Sequence, residues 1–402
     1  MRMEAWKRNL WICCIASFIV SVGMSQMAPI LPLYIEELGV EGADDIARWV
    51  GIVFGCNFVS LAIFSPIWGR LADKYGKKPM ILRATGWLGI IMIALGFAQS
   101  VWQLAGLRLL QGAMSGFQSA VILLIAAETP KEKSGWAMSM FFAAQVTGGL
   151  FGPVFGGGLS ELIGYRHSFF LIGSLCLLGC FALTFLHETK RPVPTATAGK
   201  STRETFADLP YRTATLAVFL TTFLMHFSIS CIQPMLTVYI AEVAPDTEHL
   251  AVVSGFVFSC SGLASMMFAS RLGHLSDTVG AHRVLLGSLT LAGLVSFPQG
   301  LVTTPLELGV LRFIHGIAMA GLIPATNDTI RQMTPSSCLG RIYGFNQSAQ
   351  FIGMFTGAFF GGELIAQIGF ARTFFIVGAL LLACAAWCKT RVVDALPTSR
   401  TA

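Results

Sequence analysis

Charge is scarce in this chain. Aspartate and glutamate number 21 and lysine and arginine 27 in 402 residues, so 12% of positions are charged while 54% are hydrophobic, and the mean hydropathy is +0.69. A soluble domain carries roughly twice that share of charge. The composition excludes a soluble two-domain protein and points to the membrane. Cysteine occurs ten times without a pattern: Cys13, Cys56, Cys176, Cys231, Cys260 and Cys384 are scattered inside apolar stretches, and no CxxC pair or Cys/His cluster has metal-ligand spacing. Buried unreactive thiols are the reading, and no metal is expected. The chain also has no recognisable nucleophile and base pair and no phosphate-binding loop, which leaves an enzyme without support.

What is abundant is apolar sequence in long runs. Crossing a ~30 Å hydrocarbon layer takes ~20 apolar residues, and twelve such stretches can be read, at about 9–34, 48–70, 79–98, 102–126, 135–160, 168–187, 213–240, 250–272, 284–303, 307–330, 340–364 and 372–389. They are numbered here as spans 1 to 12. The fold class expected is all-α integral membrane protein. Span 1 follows Arg2, Lys7 and Arg8 as a signal peptide would, but it is long and has no clear small-residue cleavage site, so it reads as a retained span.

The net charge of +6 would suggest nucleic acid in a soluble protein. Its distribution says topology instead. Lys74, Lys77, Lys78, Arg83, Lys131, Lys133, Lys190, Arg191, Lys200, Arg203, Arg212, Arg271, Arg283, Arg331, Arg341, Lys389 and Arg391 fall on one side if the spans alternate, whereas Glu36, Glu37, Glu41, Asp44, Asp45, Glu242, Asp246 and Glu248 fall on the other. The positive-inside rule then puts both termini and the middle loop in the cytoplasm, in a multi-pass protein of the cytoplasmic membrane.

A motif occurs twice, GRLADKYGKK at 69–78 and GHLSDTVGAHR at 273–283, with Gly69 and Gly273 204 residues apart. Other pairs keep nearly that offset. Pro29 and Tyr34 match Pro234 and Tyr239; LRLLQG at 107–112 matches LRFIHG at 311–316; Gly148, Gly152, Gly156 and Gly157 match Gly353, Gly357, Gly361 and Gly362; RHSFFLIG at 166–173 matches ARTFFIVG at 371–378. An ordered series at one offset means duplication. Residues 188–212 are polar, basic and contain Pro and Thr, as linkers are. The expected domains are 1–187, a six-helix bundle; 188–212, a cytoplasmic linker; and 213–402, a second six-helix bundle. Parallel repeats of this kind suit alternating access, in which one half rocks against the other.

The GRLADKYGKK loop, the arginine and glycine run in span 4 and GGLFGPVFGG in span 5 together resemble the major facilitator superfamily, and within it the twelve-span drug:proton antiporters. The likeness covers nearly the whole chain. SPIWGRLADKYGKKPM and PKEKSGWAM look further like the bacterial multidrug exporters of the fluoroquinolone, fosfomycin and deoxycholate resistance type. In that superfamily GxxxGPxxGG, here Gly148, Gly152, Pro153, Gly156 and Gly157, marks antiporters. Its glycines form a stripe for close helix contact while Pro153 removes a backbone hydrogen bond; plain glycine packing accounts for the GxxxG part alone.

The resemblance implies a conformational switch at Gly69, Asp73, Gly76, Lys77 and Lys78, echoed by Asp277 and Arg283, with Asp73 docking near Arg341 in one access state. The same loop also suits a purely topogenic role. Gly69 is expected to let a neighbouring helix come close. Arg108 lies inside hydrocarbon, where an arginine costs ~2.5–3.5 kcal/mol unless paired or hydrated; the resemblance ties it to proton transfer with Gln111, and a bracing role is the alternative. Its echo is Arg312, beside His315. Span 1 carries only Ser17, Ser21, Ser25 and Gln26 where many relatives hold an acid. Glu128, His315, Asp328 and His226 remain as titratable groups. Asp328 and His226 are taken as the deepest of their helices, hence as proton-coupling residues, with snorkelling or simple hydrogen bonding as the alternative.

Neutral polar groups and aromatics, among them Asn57, Gln118, Gln145, Phe142, Gln233, Asn346 and Gln350, are expected to line a substrate cavity for amphipathic organic molecules. Packing between helices is the other role open to each. The function expected is export of small organic compounds in exchange for protons, by a monomer that needs a proton gradient, no cofactor and no nucleic acid. Uptake by a symporter or facilitator is the alternative that the GPxxGG run opposes. A membrane sensor would carry extra soluble segments, and the short loops supply none.

Overall fold

The computed structural model describes residues 4–189, 211–335 and 338–393, and among them every regular element is helical. Hydrocarbon offers peptide groups no water, so each span must satisfy its own backbone. Hydroxyls inside spans do the same locally: Thr85, Thr221, Ser296, Thr326 and Thr329 each donate to the carbonyl four residues earlier. No polar hydrogen is left for lipid at these positions.

Twelve spans result among the described residues. They are Ala5–Ser25 with Met27–Glu37, Ala43–Tyr75, Lys77–Gly96, Val101–Ala113 with Phe117–Glu128, Ser134–Ile163, Tyr165–Leu183, Arg212–Ile232 with Leu236–Val243, Leu250–Val279, Ala281–Gln299, Pro305–Met333, and two within Leu339–Cys388. That last helix is two spans because Gly369 leaves helical geometry at φ 80°. Span 9 is the least apolar, since His282, Arg283, Ser288, Thr290, Ser296 and Gln299 share its 19 residues.

The duplication persists in atomic detail. Gly76 and Gly280, at φ 97° and 96°, turn the chain at the same point of the two motif copies, where any side chain would be strained. Tyr34 donates to Leu95 O at 2.7 Å and Tyr239 to Gln299 O at 2.8 Å, and each ring lies 5.3 Å from its own phenylalanine, Phe169 or Phe374. Ser100 caps span 4 through Gln103 N–H as Thr304 caps span 10 through Glu307 N–H. The halves part at Gly116: at φ 116° it interrupts span 4, whereas Ala320 in the matching place leaves span 10 continuous.

The chain divides into two compact units, residues 1–194 with 247–259, and 195–246 with 260–402. The outer part of span 8 therefore packs with the first unit. Gly157 and Gly255 explain it: a Cβ on Gly157 would meet Ala251 O, and one on Gly255 would meet Pro153 O. Glu161 accepts from Val252 N–H at 3.1 Å and pairs with His249 at 2.9 Å, and Ser259 Oγ donates to Leu150 O. Of the expected linker 188–212, residues 190–210 lie outside the described ones.

Candidate functional site

In the first unit the glycine run of span 5 lies on span 1. A Cβ at Gly148 would meet Phe18 O and Ser21, one at Gly152 would fall on Ser25 Oγ, and one at Gly156 on Gln26. Ser25 Oγ bonds Ser21 O at 2.7 Å and reaches Gly148 O at 3.4 Å, which ties the two backbones together. This seam runs up to the break in span 1 at Gln26, whose buried amide has no protein partner. Pro153 stands inside an unbroken helix and is itself buried. The twin stripe repeats the packing, with Gly353, Gly357 and Gly361 on the carbonyls of Phe223, Phe227 and Cys231.

Arg108 is 2% exposed, the largest fully buried side chain of the chain's described part. It donates to Gln111 Oε1 and lies 5.8 Å from the Phe54 ring centre, so a neutral acceptor and a π face stand where a carboxylate would be expected. Gln111 in turn bonds Met24 Sδ of span 1 at 3.2 Å. Asn57 is buried beside this group, its backbone carbonyl pressed on Gly112 in the seam between spans 2 and 4 and its side-chain Oδ1 without a partner among the described residues. Gln118 and Gln145 bond each other at 3.0 Å on accessible surface, and Phe142 is 42% exposed against the buried Phe141.

The motif loop is clasped from a direction the sequence did not suggest. Glu188, just past span 6, accepts from Lys77 N–H at 2.8 Å and Lys78 N–H at 2.9 Å, capping span 3 where the helix dipole favours a negative charge. Lys78 Nζ donates to Thr184 O and Leu186 O, both at 2.7 Å. Asn9 bonds both N–H and C=O of His187, and Glu128 takes two bonds from Thr189. Glu128 is thus engaged in holding this strap. The close approach expected at Gly69 is not seen, for Gly69 is exposed with open space where a Cβ would stand; the tight contact falls at Gly76, whose Cβ would meet Glu188. The side chain of Asp73 lies outside the described residues, and Asp277 and Arg283 are exposed. Glu188→Ala should lower the melting temperature in detergent by an amount equivalent to about 1 kcal/mol, the value of charged hydrogen bonds discounted for solvent. Glu188→Gln, which keeps an acceptor, should lose less, and equal losses would show that the caps do not matter.

Arg83 was missed as well, being read only as a topogenic charge. Its guanidinium stacks 3.2 Å from the Trp68 ring centre and donates to Ser115 O, while Trp68 Nε1 donates to Ala113 O at 2.6 Å. Together they brace the carbonyls freed where span 4 breaks.

In the second unit a polar chain joins spans 7 and 11. Thr222 donates to Asn346 Oδ1 at 2.7 Å, and His226 Nδ1 donates to Thr222 O at 2.9 Å, all three buried. Gln350 accepts from Gln347, and Gln233 is half-buried. Asp328 is not the deepest titratable side chain of span 10. It accepts from Arg331 at 2.7 Å and from Gln332 at 2.8 Å near the helix end, because both donors lie within a turn of it. His315 is the buried one at 7% exposed. With Arg312, Ser228 and Gln299 it lines a small cavity, and each of the four has a buried polar atom without a partner among the described residues.

The Major Facilitator Superfamily profile matches residues 13–217 and again 218–401. The chain is 38% identical over 390 residues to the multidrug resistance protein MdtG of Rahnella sp., covering 96% of this chain and 94% of that protein. It is 37% identical to MdtG of Serratia proteamaculans, at 96% and 95%, and to MdtG of Escherichia coli over 379 residues, at 94% and 92%. Among solved structures, a bacterial homologue of the human lysosomal transporter Spinster superposes with a TM-score of 0.77 at 14% identity, covering 97% of each chain. The nucleoside transporter NupG does so at 0.73 and 12%, covering 97% of this chain and 99% of its own. Two matches of one family profile to the two halves of a duplicated twelve-span chain, with relatives near two-fifths identity along its length, show that the chain belongs to the Major Facilitator Superfamily.

Proposed function

We propose that this protein exports small amphipathic organic compounds from the cell in exchange for protons, by alternating access between its halves. The observation that carries the reading is the likeness, over more than nine-tenths of the chain, to proteins named for multidrug resistance. The glycine and proline seam between spans 1 and 5 supports antiport over uptake, since it is the part the antiporter resemblance rests on. Accessible Phe142, Gln118 and Gln145 are the aromatic and neutral polar groups that such substrates need. Arg108 with Gln111 holds a buried positive charge beside span 1, and His226, His282 and His315 are buried groups able to take a proton. Both termini face the cytoplasm in this reading, which follows from the lysine and arginine distribution.

The test uses inverted vesicles with an imposed proton gradient and a probe of internal pH. Substrate addition should release protons from the lumen; no response across a broad panel of amphipathic compounds, together with metabolite uptake in cells, would overturn export. Asp73→Asn should slow turnover with little change in substrate affinity, as a switch residue acts on the conformational step. Unchanged turnover removes Asp73 from the mechanism.

A further inference from the structure

The two halves differ where their second and third spans meet their fourth. In the first half Trp68, Tyr75, Arg83 and Trp87 stand at the corresponding positions, and Arg83 stacks on Trp68 at 3.2 Å there. At the constant offset of 204 the second half has Leu272, Val279, Gly287 and Leu291 in their places. Each is smaller, and together they leave a groove of about 210 Å³ between spans 8, 9 and 10. Gly287 is exposed, and a Cβ there would meet nothing within 4 Å.

The lining is apolar apart from the Ser288 hydroxyl and the Arg283 end. Leu275 and Val279 are 45% and 36% exposed on a helix long and apolar enough to span the membrane, and Ile317 lines the groove with them. At the mouth stands Arg283, third residue of span 9 and therefore at the level where a span leaves hydrocarbon. Its backbone N–H donates to Gly280 O, but its guanidinium makes no hydrogen bond or ion pair with a described residue. A mainly apolar slot between membrane-spanning helices that ends at an unpaired guanidinium matches one molecule in shape and charge. That molecule has a hydrocarbon chain for the slot and a phosphate for the arginine.

We propose that the groove between Leu272, Leu275, Val279, Gly287, Leu291 and Ile317 holds an acyl chain of an anionic phospholipid whose phosphate sits on Arg283. The first half cannot do this, because Trp68 and Arg83 are already in the equivalent space. The site is independent of what the protein transports. Its lipid would wedge spans 8, 9 and 10 together at the surface that carries the second motif copy.

The experiment is native mass spectrometry of the full chain released from nanodiscs of phosphatidylglycerol, phosphatidylcholine or an equal mixture. Wild type should retain one tightly held phosphatidylglycerol in preference to phosphatidylcholine. Arg283→Gln should cut that preference about fivefold, the effect of one basic residue on anionic lipid near a membrane surface, while Arg271→Gln, an exposed arginine on span 8 outside the groove, should not. Gly287→Leu should remove retention of both lipids, and its melting temperature reports that the variant is folded, as the open space at that Cβ leads one to expect. Equal loss from Arg283→Gln and Arg271→Gln would mean a diffuse surface charge and overturn the site. So would full lipid retention by Gly287→Leu, including the case in which that variant loses only the binding of an amphipathic transport substrate.

Discussion

Gly152→Val should abolish transport and lower the melting temperature, while Gly149→Val three residues away should leave both near wild type. The contrast follows from one seam. A Cβ at Gly152 lands on Ser25 Oγ and close to the Val22 carbonyl, so span 5 and span 1 must separate for the side chain to fit. Overpacking of this kind costs about 1–3 kcal/mol where a flexible neighbour can yield, and here backbone stands behind the hydroxyl. At Gly149 a Cβ meets nothing within 4 Å. In hydrocarbon no hydrophobic drive pulls helices together, so close van der Waals packing at small residues has to do it. The measurement is efflux from energised cells together with thermal unfolding in detergent. Matching behaviour of the two variants would show that the seam is not what holds spans 1 and 5.

Arg108→Ala should separate downhill exchange from proton coupling. Truncation leaves a cavity where the largest fully buried side chain stood and leaves Gln111 without its donor, but it also removes a charge that hydrocarbon disfavours, so the variant should fold with a lower melting temperature. Proton-driven efflux should nonetheless fall at least tenfold, while downhill exchange of substrate across de-energised vesicles continues. Arg108→Lys should not rescue fully, since an ammonium cannot both reproduce the planar donor to Gln111 and face Phe54 as a guanidinium does. A bracing role predicts something else: driven efflux and downhill exchange falling together. That outcome would take Arg108 out of proton coupling.

The sequence read well wherever the physics is local or periodic. Span count follows from the length of apolar runs, span 9 at 284–303 included. The burial of Arg108 and the glycine stripe of span 5 were equally legible, since four-residue spacing on a helix places side chains on one face whatever lies opposite. What lies opposite was not legible. Sequence placed Asp328 among the deep titratable groups, but Arg331 and Gln332, one turn away, hold it near the helix end, and His315 takes the interior position. Glu188 and Arg83 were read as linker and topogenic charges because nothing in their neighbours' spacing says that one caps span 3 and the other stacks on Trp68.

The amino-acid sequence by itself thus determined a membrane protein of twelve spans in two related halves, because hydropathy and a constant offset are properties of the chain alone. The tertiary structure decided how the copies diverge: Gly157 against Ala251 of span 8, Gly76 against Glu188, a filled face in the first half and a groove in the second. Those differences depend on which atoms from distant positions come within contact distance, and a repeat that matches residue for residue in register still leaves that open until the side chains are packed.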